Sequence, residues 1–161
     1  MTENTSSFKL FEDNLSFSDT KENLGYSKNN NGSLIYYIAL FGKAHAVLKY
    51  RNAMNTSWKG LSFGMAALAA LGYEGYIPFK DIDENAKNMY AIQAPKDAES
   101  TTTTLLEQYN LVQQTPFVLM ETRKNKGNLA SLISAVKAFD EDSGRAVIIT
   151  VGEKGSAEKV V

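Results

Sequence analysis

Cysteine is missing from all 161 residues, so the chain has no disulfide, no thiolate metal ligand and no thiol nucleophile. Histidine is nearly missing too. His45 alone excludes a histidine-rich metal centre, and the carboxylates Asp81, Asp83 and Glu84 do not complete a calcium-loop spacing, so neither a metal nor another cofactor is expected. An excess of charge is lacking: 17 Lys and Arg are spread among 18 Asp and Glu, the net charge is -1, and nucleic acid is not an expected partner. No run approaches the roughly 18 apolar residues of a membrane span, and Met1 is not followed by the charged-then-apolar pattern of a leader. A mature secreted protein with its leader replaced by Met1 is compatible with this pattern, as is a cytoplasmic one.

What is present is ordinary for a folded domain. With 43% hydrophobic residues, the chain can bury roughly 70% of its unfolded surface in one core. Residues 1–32 are polar and rich in Asn, Ser and Lys, which predicts an N-terminal arm. Its patch at 8–17, with Phe8, Leu10, Phe11, Leu15 and Phe17, is too apolar for a solvated tail and is expected to lie against the body. Residues 33–161 are then one globular domain.

Periodicity places four helices in that domain. Leu34, Ile38, Phe41, His45 and Leu48 recur at steps of four and three and predict a helix over 33–52 with Ser33 as cap; His45 on that stripe reads as a core histidine rather than a catalytic base. The small residues from Ser62 predict a second helix over 62–72, stopped by Gly72. Leu105, Leu106, Tyr109 and Val112 predict a third over 102–114. Leu129, Leu132, Ile133, Val136 and Phe139 predict a fourth over 128–140, capped by Asn128. The run Phe117–Met120 reads as short and buried, of either structure. Residues 80–100 read as a polar connection with a short helix near Glu84–Tyr90. Arg145–Val151 is β-branched and predicts the main strand, so the fold class expected is α+β, mainly helical.

The most informative stretch is Trp58-Lys59-Gly60-Leu61-Ser62-Phe63-Gly64-Met65-Ala66. It is a glycine-flanked turn that delivers Ser62 to a helix start, where backbone N–H groups and the macrodipole favour an anion such as a thiolate. It resembles the nucleophile segment of papain-like cysteine peptidases, in the variant of secreted gut-bacterial proteins that read Trp-x-Gly-x-Cys-[Phe/Tyr]-Gly-Met. Ser62 stands where that family has cysteine. The likeness runs from the helical stretch before Trp58, through Leu105–Gln114 with its Tyr and Gln, to a strand like Ala146–Val151. Family members continue into a Gly-His-Ala-Val strand that carries the catalytic histidine. The chain stops at Val161 before it, so the resemblance implies a domain truncated before a C-terminal β part, or a second chain that completes the sheet.

The resemblance makes Ser62 the nucleophile position. Asn55 and Asn52 become oxyanion candidates where the family has an upstream Gln, and Trp58, Gly60, Phe63, Gly64, Tyr73 and Tyr76 become candidate cleft residues. It implies a peptide or protein substrate or partner and a secreted bacterial setting. A serine hydroxyl is far less acidic than a thiol, so the site is expected to be inert, whether Ser62 is an engineered Cys→Ser change or belongs to a natural pseudoenzyme. Ser62 also reads as a plain helix cap. Gly60-Leu61-Ser62-Phe63-Gly64 satisfies the serine-hydrolase elbow pattern, but polar, turn-like residues precede it where a strand is needed, and no histidine follows. The alternative to a peptidase-like domain is a non-catalytic protein-interaction module, which the aromatic loop 73–79 and the apolar arm 8–17 favour.

Overall fold

The computed structural model describes residues 9–17, 34–54, 60–95, 100–138, 148–151 and 158–160. They are mainly helical. In chain order the elements are α1 (Leu10–Asp13), α2 (Leu34–Phe41), α3 (Lys43–Met54), α4 (Ser62–Tyr73), α5 (Phe79–Ile82), a 3-10 turn (Met89–Ala91), α6 (Thr101–Val112), α7 (Pro116–Asn125), α8 (Leu129–Ala138), β1 (Ile149–Val151) and β2 (Glu158–Val160). The two strands pair antiparallel, Ile149 opposite Val160, and β2 lies beside α4. Of the expected strand, residues 148–151 are described and Ile149–Val151 are in strand, while Arg145–Val147 lies outside the described residues, as do 1–8, 18–33 and Phe139. No helix among the described residues is long and apolar enough to cross a membrane.

The α4–α6 pair is the centre of the molecule. Alanine has the highest helix propensity and no side-chain entropy to lose, which accounts for α4 forming; Gly64, Ala66, Ala67, Leu68, Ala69 and Ala70 are all buried in it. The helix runs past Gly72 and stops at Gly75, whose φ of 76° is open to glycine. There the Tyr76 N–H donates to the Leu71 carbonyl (2.9 Å) and the Gly75 N–H to that of Gly72 (3.1 Å), a Schellman stop. A Cβ on Gly72 would meet the Met89 methyl, the movable end of a flexible side chain.

Two apolar clusters flank α6. Leu15, Leu61, Leu68, Ile82, Met89, Ile92 and Leu106 form the first. Tyr37, Phe41, Ala46, Ala53 and Leu111 form the second. Each large aliphatic side chain sealed this way contributes about 1.5–3 kcal/mol. The N-terminal segment joins the first cluster through Leu15 and Phe17, whereas Leu10 and Phe11 of α1 stay exposed and Phe11 makes an edge contact with Tyr90 at 5.6 Å.

The single helix expected over 33–52 is two helices. Gly42, at φ 72°, breaks it, and the Tyr37 and Tyr50 rings then meet at 5.3 Å, where a continuous helix would hold them about 20 Å apart. The expected stripe is consequently split: Phe41 is buried, Ile38 is half-buried, and Leu34, His45 and Leu48 are exposed. A second correction concerns Phe117–Met120. The run is helical, started by Thr115 as cap and Pro116 in the first turn, and it is not buried, with Phe117 71% and Met120 64% exposed. The helix expected over 128–140 is found over Leu129–Ala138, with the Asn128 carboxamide accepting from the Ser131 N–H at 3.0 Å.

Candidate functional site

Ser62 is the first residue of α4, and the residue before it, Leu61, makes no side-chain cap. Ser62 is thus inside the helix and is not its N-cap, a correction to the plain-cap reading. The first-turn N–H groups still need acceptors. One comes from across the helix pair: the Gly64 N–H donates to Asn110 Oδ1 at 3.2 Å. The same carboxamide donates through Nδ2 to the Gly60 carbonyl at 3.3 Å, so one side chain of α6 holds both glycines that flank Ser62. Gln113 Nε2 in turn donates to Asn110 Oδ1 (2.9 Å) and to the Asn110 carbonyl (2.8 Å), which fixes the carboxamide's orientation. Asn110 is completely buried, and a polar side chain there is tolerated because these bonds are made.

This clamp requires the two backbones to touch. A Cβ on Gly64 would run into the Leu106 carbonyl oxygen and lie 3.1 Å from Asn110 Cβ, so glycine is what lets α4 come close enough for the hydrogen bond. Ser62 and Phe63 are half-buried between the clamped ends. The local arrangement is a rigid helix start with a small polar side chain in its first turn and a positive dipole end behind it.

Not all of the expected site residues belong to this place. Tyr73 lies at the far end of α4, about 16 Å from Ser62 by helical rise, and Tyr76 follows the turn beyond it; Tyr76 is 68% exposed and Tyr73 half-buried. Asn52 is exposed on α3, while Asn55 and Trp58 lie outside the described residues. The carboxamide that does reach the Ser62 turn is that of Asn110. In the sequence the Leu105–Gln114 segment shows an apolar stripe, and the polar residues Thr103, Glu107 and Asn110 beside it carry no local mark of being buried.

That polar stripe also touches the second cluster. Burial first, and then the Glu107 carboxylate and the Tyr50 and Tyr36 hydroxyls, push the Tyr37 phenol up to about 12. Tyr36 is pushed up by burial and then by Tyr109, and its hydroxyl donates to the Gln108 carbonyl at 2.9 Å. Burial raises Tyr109 as well.

His45 is on α3, in an open groove with Lys49 and Arg123 whose lining does not include Ser62. Among the described residues no three His, Asp or Glu side chains come together in a way that could hold a metal ion. Comparison with protein-family models, with curated proteins and with solved structures gives no match for this chain.

Proposed function

We propose that the chain is a cysteine-peptidase-like domain that does not cleave peptides in this form, with Ser62 at the nucleophile position. The observation that carries this reading is the placement of Ser62 in the first turn of a buried small-residue helix whose entry is clamped on both sides by Asn110. A helix start of this kind stabilises a thiolate, but a hydroxyl needs a strong base to ionise, and the chain's single histidine lies in a groove that Ser62 does not line. In this reading the fold is the papain-like α+β fold, and β1 and β2 begin a β part that further chain or a second chain completes. Its ligand is a peptide or protein, and its setting is that of the secreted bacterial relatives it resembles. The serine-hydrolase reading gains nothing, because the described element before the Gly60–Gly64 turn is the helix α3 rather than a strand.

The test is Ser62→Cys. The new thiol is expected to have a pKa below the usual value of about 8.5 and to react rapidly with iodoacetamide at mildly acidic pH in the folded protein. A thiol that reacts only after denaturation overturns the peptidase-like reading. That result would favour a second reading, a non-catalytic protein-interaction module, which one observation supports independently: Phe117, Met120, Leu129 and Ile133 of α7 and α8 present large apolar side chains to solvent.

A further inference from the structure

We infer that the groove between α3 and α7 is a docking site for an acidic, amphipathic peptide segment of a partner protein. The inference gives the interaction reading a place and a ligand class and is independent of Ser62. The groove has a volume of ≈ 400 Å³, room for one or two apolar side chains of a bound segment. Its apolar surface is made by Phe41, Pro116, Leu119 and Met120, its cations are Lys49 and Arg123, His45 and Gln114 add polar groups, and no carboxylate is among the lining residues. Methionine is unbranched and polarizable and adapts to the shape it meets, which suits an induced contact with a peptide.

The helices that supply the groove's two walls are themselves rich in Lys and Arg. Residues 43–54 and 116–126 carry Lys43, Lys49, Arg51, Arg123, Lys124 and Lys126 against a single carboxylate, Glu121, which lies 4.0 Å from Lys124. Lys49 and Arg123 are 74 residues apart in the sequence, and folding brings them to one groove. Their field attracts an acidic segment and orients it before contact. A single-stranded nucleic acid is held largely by stacking on open aromatic faces, and the benzyl ring that lines this groove, Phe41, is buried with the Lys49 ammonium 4.6 Å over its centroid. An anionic membrane is planar and cannot follow a concave groove. The observations therefore favour a peptide that alternates Asp or Glu with Leu or Phe.

The experiment is fluorescence anisotropy of a labelled peptide in which Phe and Leu are interleaved with Asp and Glu. Comparators are its Lys-for-acid counterpart, an acidic Ser-containing peptide without apolar residues, a single-stranded oligonucleotide and phosphatidylserine vesicles. The acidic amphipathic peptide is expected to bind best, and more weakly as salt rises. Lys49→Glu with Arg123→Glu is expected to weaken it by at least about tenfold. Lys87→Glu with Lys137→Glu, the same charge change at exposed positions that do not line the groove, is expected to leave it within about twofold. Unfolding midpoints of both variants show whether the fold is kept, and Met120→Gln, which keeps every charge, is expected to weaken binding without them. Equal binding by the groove variants and the wild type overturns the inference, as does equal or better binding by the Ser peptide, the oligonucleotide or the vesicles. Preference for the Lys peptide overturns the groove's ligand class but leaves an interaction module standing; failure of every peptide removes both.

Discussion

Helices α4 and α7 are both rich in apolar residues and have opposite fates. In α4 the side chains are mostly the smallest available, and six of its residues from Gly64 to Ala70 are buried. In α7 they are large, and Phe117, Leu119 and Met120 are all exposed. Hydrophobicity therefore does not decide burial here; access to a partner does. Small side chains let the backbone of α4 approach that of α6, so that Asn110 can reach across to Gly60 and Gly64. Helix α7 follows α6 after a three-residue link, and of its large side chains Leu119 and Met120 line a groove while Phe117 stays outside it.

The most severe way to break this contrast is to give α4 a side chain where it has none. Gly64→Ala gains helix propensity, yet its Cβ must displace the Leu106 backbone, which has nowhere to go without parting the two helices and the Asn110 bond. The expected loss is about 3 kcal/mol or more, read from urea unfolding, since overpacking against backbone is costlier than against a flexible side chain. A neutral or stabilised Gly64→Ala protein would mean that the α4–α6 approach is looser than described.

A smaller effect comes from Tyr37, a large side chain that, unlike Phe117, found a buried place. Folded Tyr37 keeps its proton until about pH 12, whereas unfolded tyrosine loses it near 10.0, so between those values unfolding releases a proton. Its neutral form therefore contributes stability that is fully present below pH 10 and is lost as pH rises toward 12, up to about 3 kcal/mol. The raised phenols of Tyr36 and Tyr109 act in the same direction. Unfolding midpoints measured at steps across this window should fall more steeply for the wild type than for Tyr37→Phe. Equal slopes would show that Tyr37 reaches water in the folded protein.

The same contrast explains what was legible in the sequence. Local signals worked: alanines for α4, and Asn128 as the cap of α8. Features set by another part of the chain did not. The stripe over 33–52 looked continuous because Leu34 to Leu48 keep step, but the fold-back at Gly42 is fixed by Tyr37 meeting Tyr50. Gly72 looks like a stop in the sequence, but the left-handed residue that ends the helix is Gly75, at φ 76°. At the Ser62 turn the helix start could be read from Gly60 and Gly64, but its clamp, Asn110, lies 46 residues beyond Gly64 and had no motif. The groove was hidden for a similar reason, since two of its lining residues, Lys49 and Arg123, lie 74 residues apart in the sequence.

The smallest effect is expected on the exposed side. Phe117→Gln with Leu129→Gln removes two large apolar side chains, 71% and 68% exposed, neither of which lines the groove. Because these residues bury little, the stability change should stay within about 0.5 kcal/mol, whereas truncating the fully buried Leu106 to alanine should cost about 2–5 kcal/mol. The unfolding midpoint checks both. A loss of more than about 2 kcal/mol from the double surface variant would show that α7 and α8 are covered in solution, so that the exposed face is an interior one waiting for more chain. An unchanged midpoint with higher solubility would leave it as surface, and the difference between α4 and α7 would then be one of role: one helix holds the fold together and the other presents a face for contact.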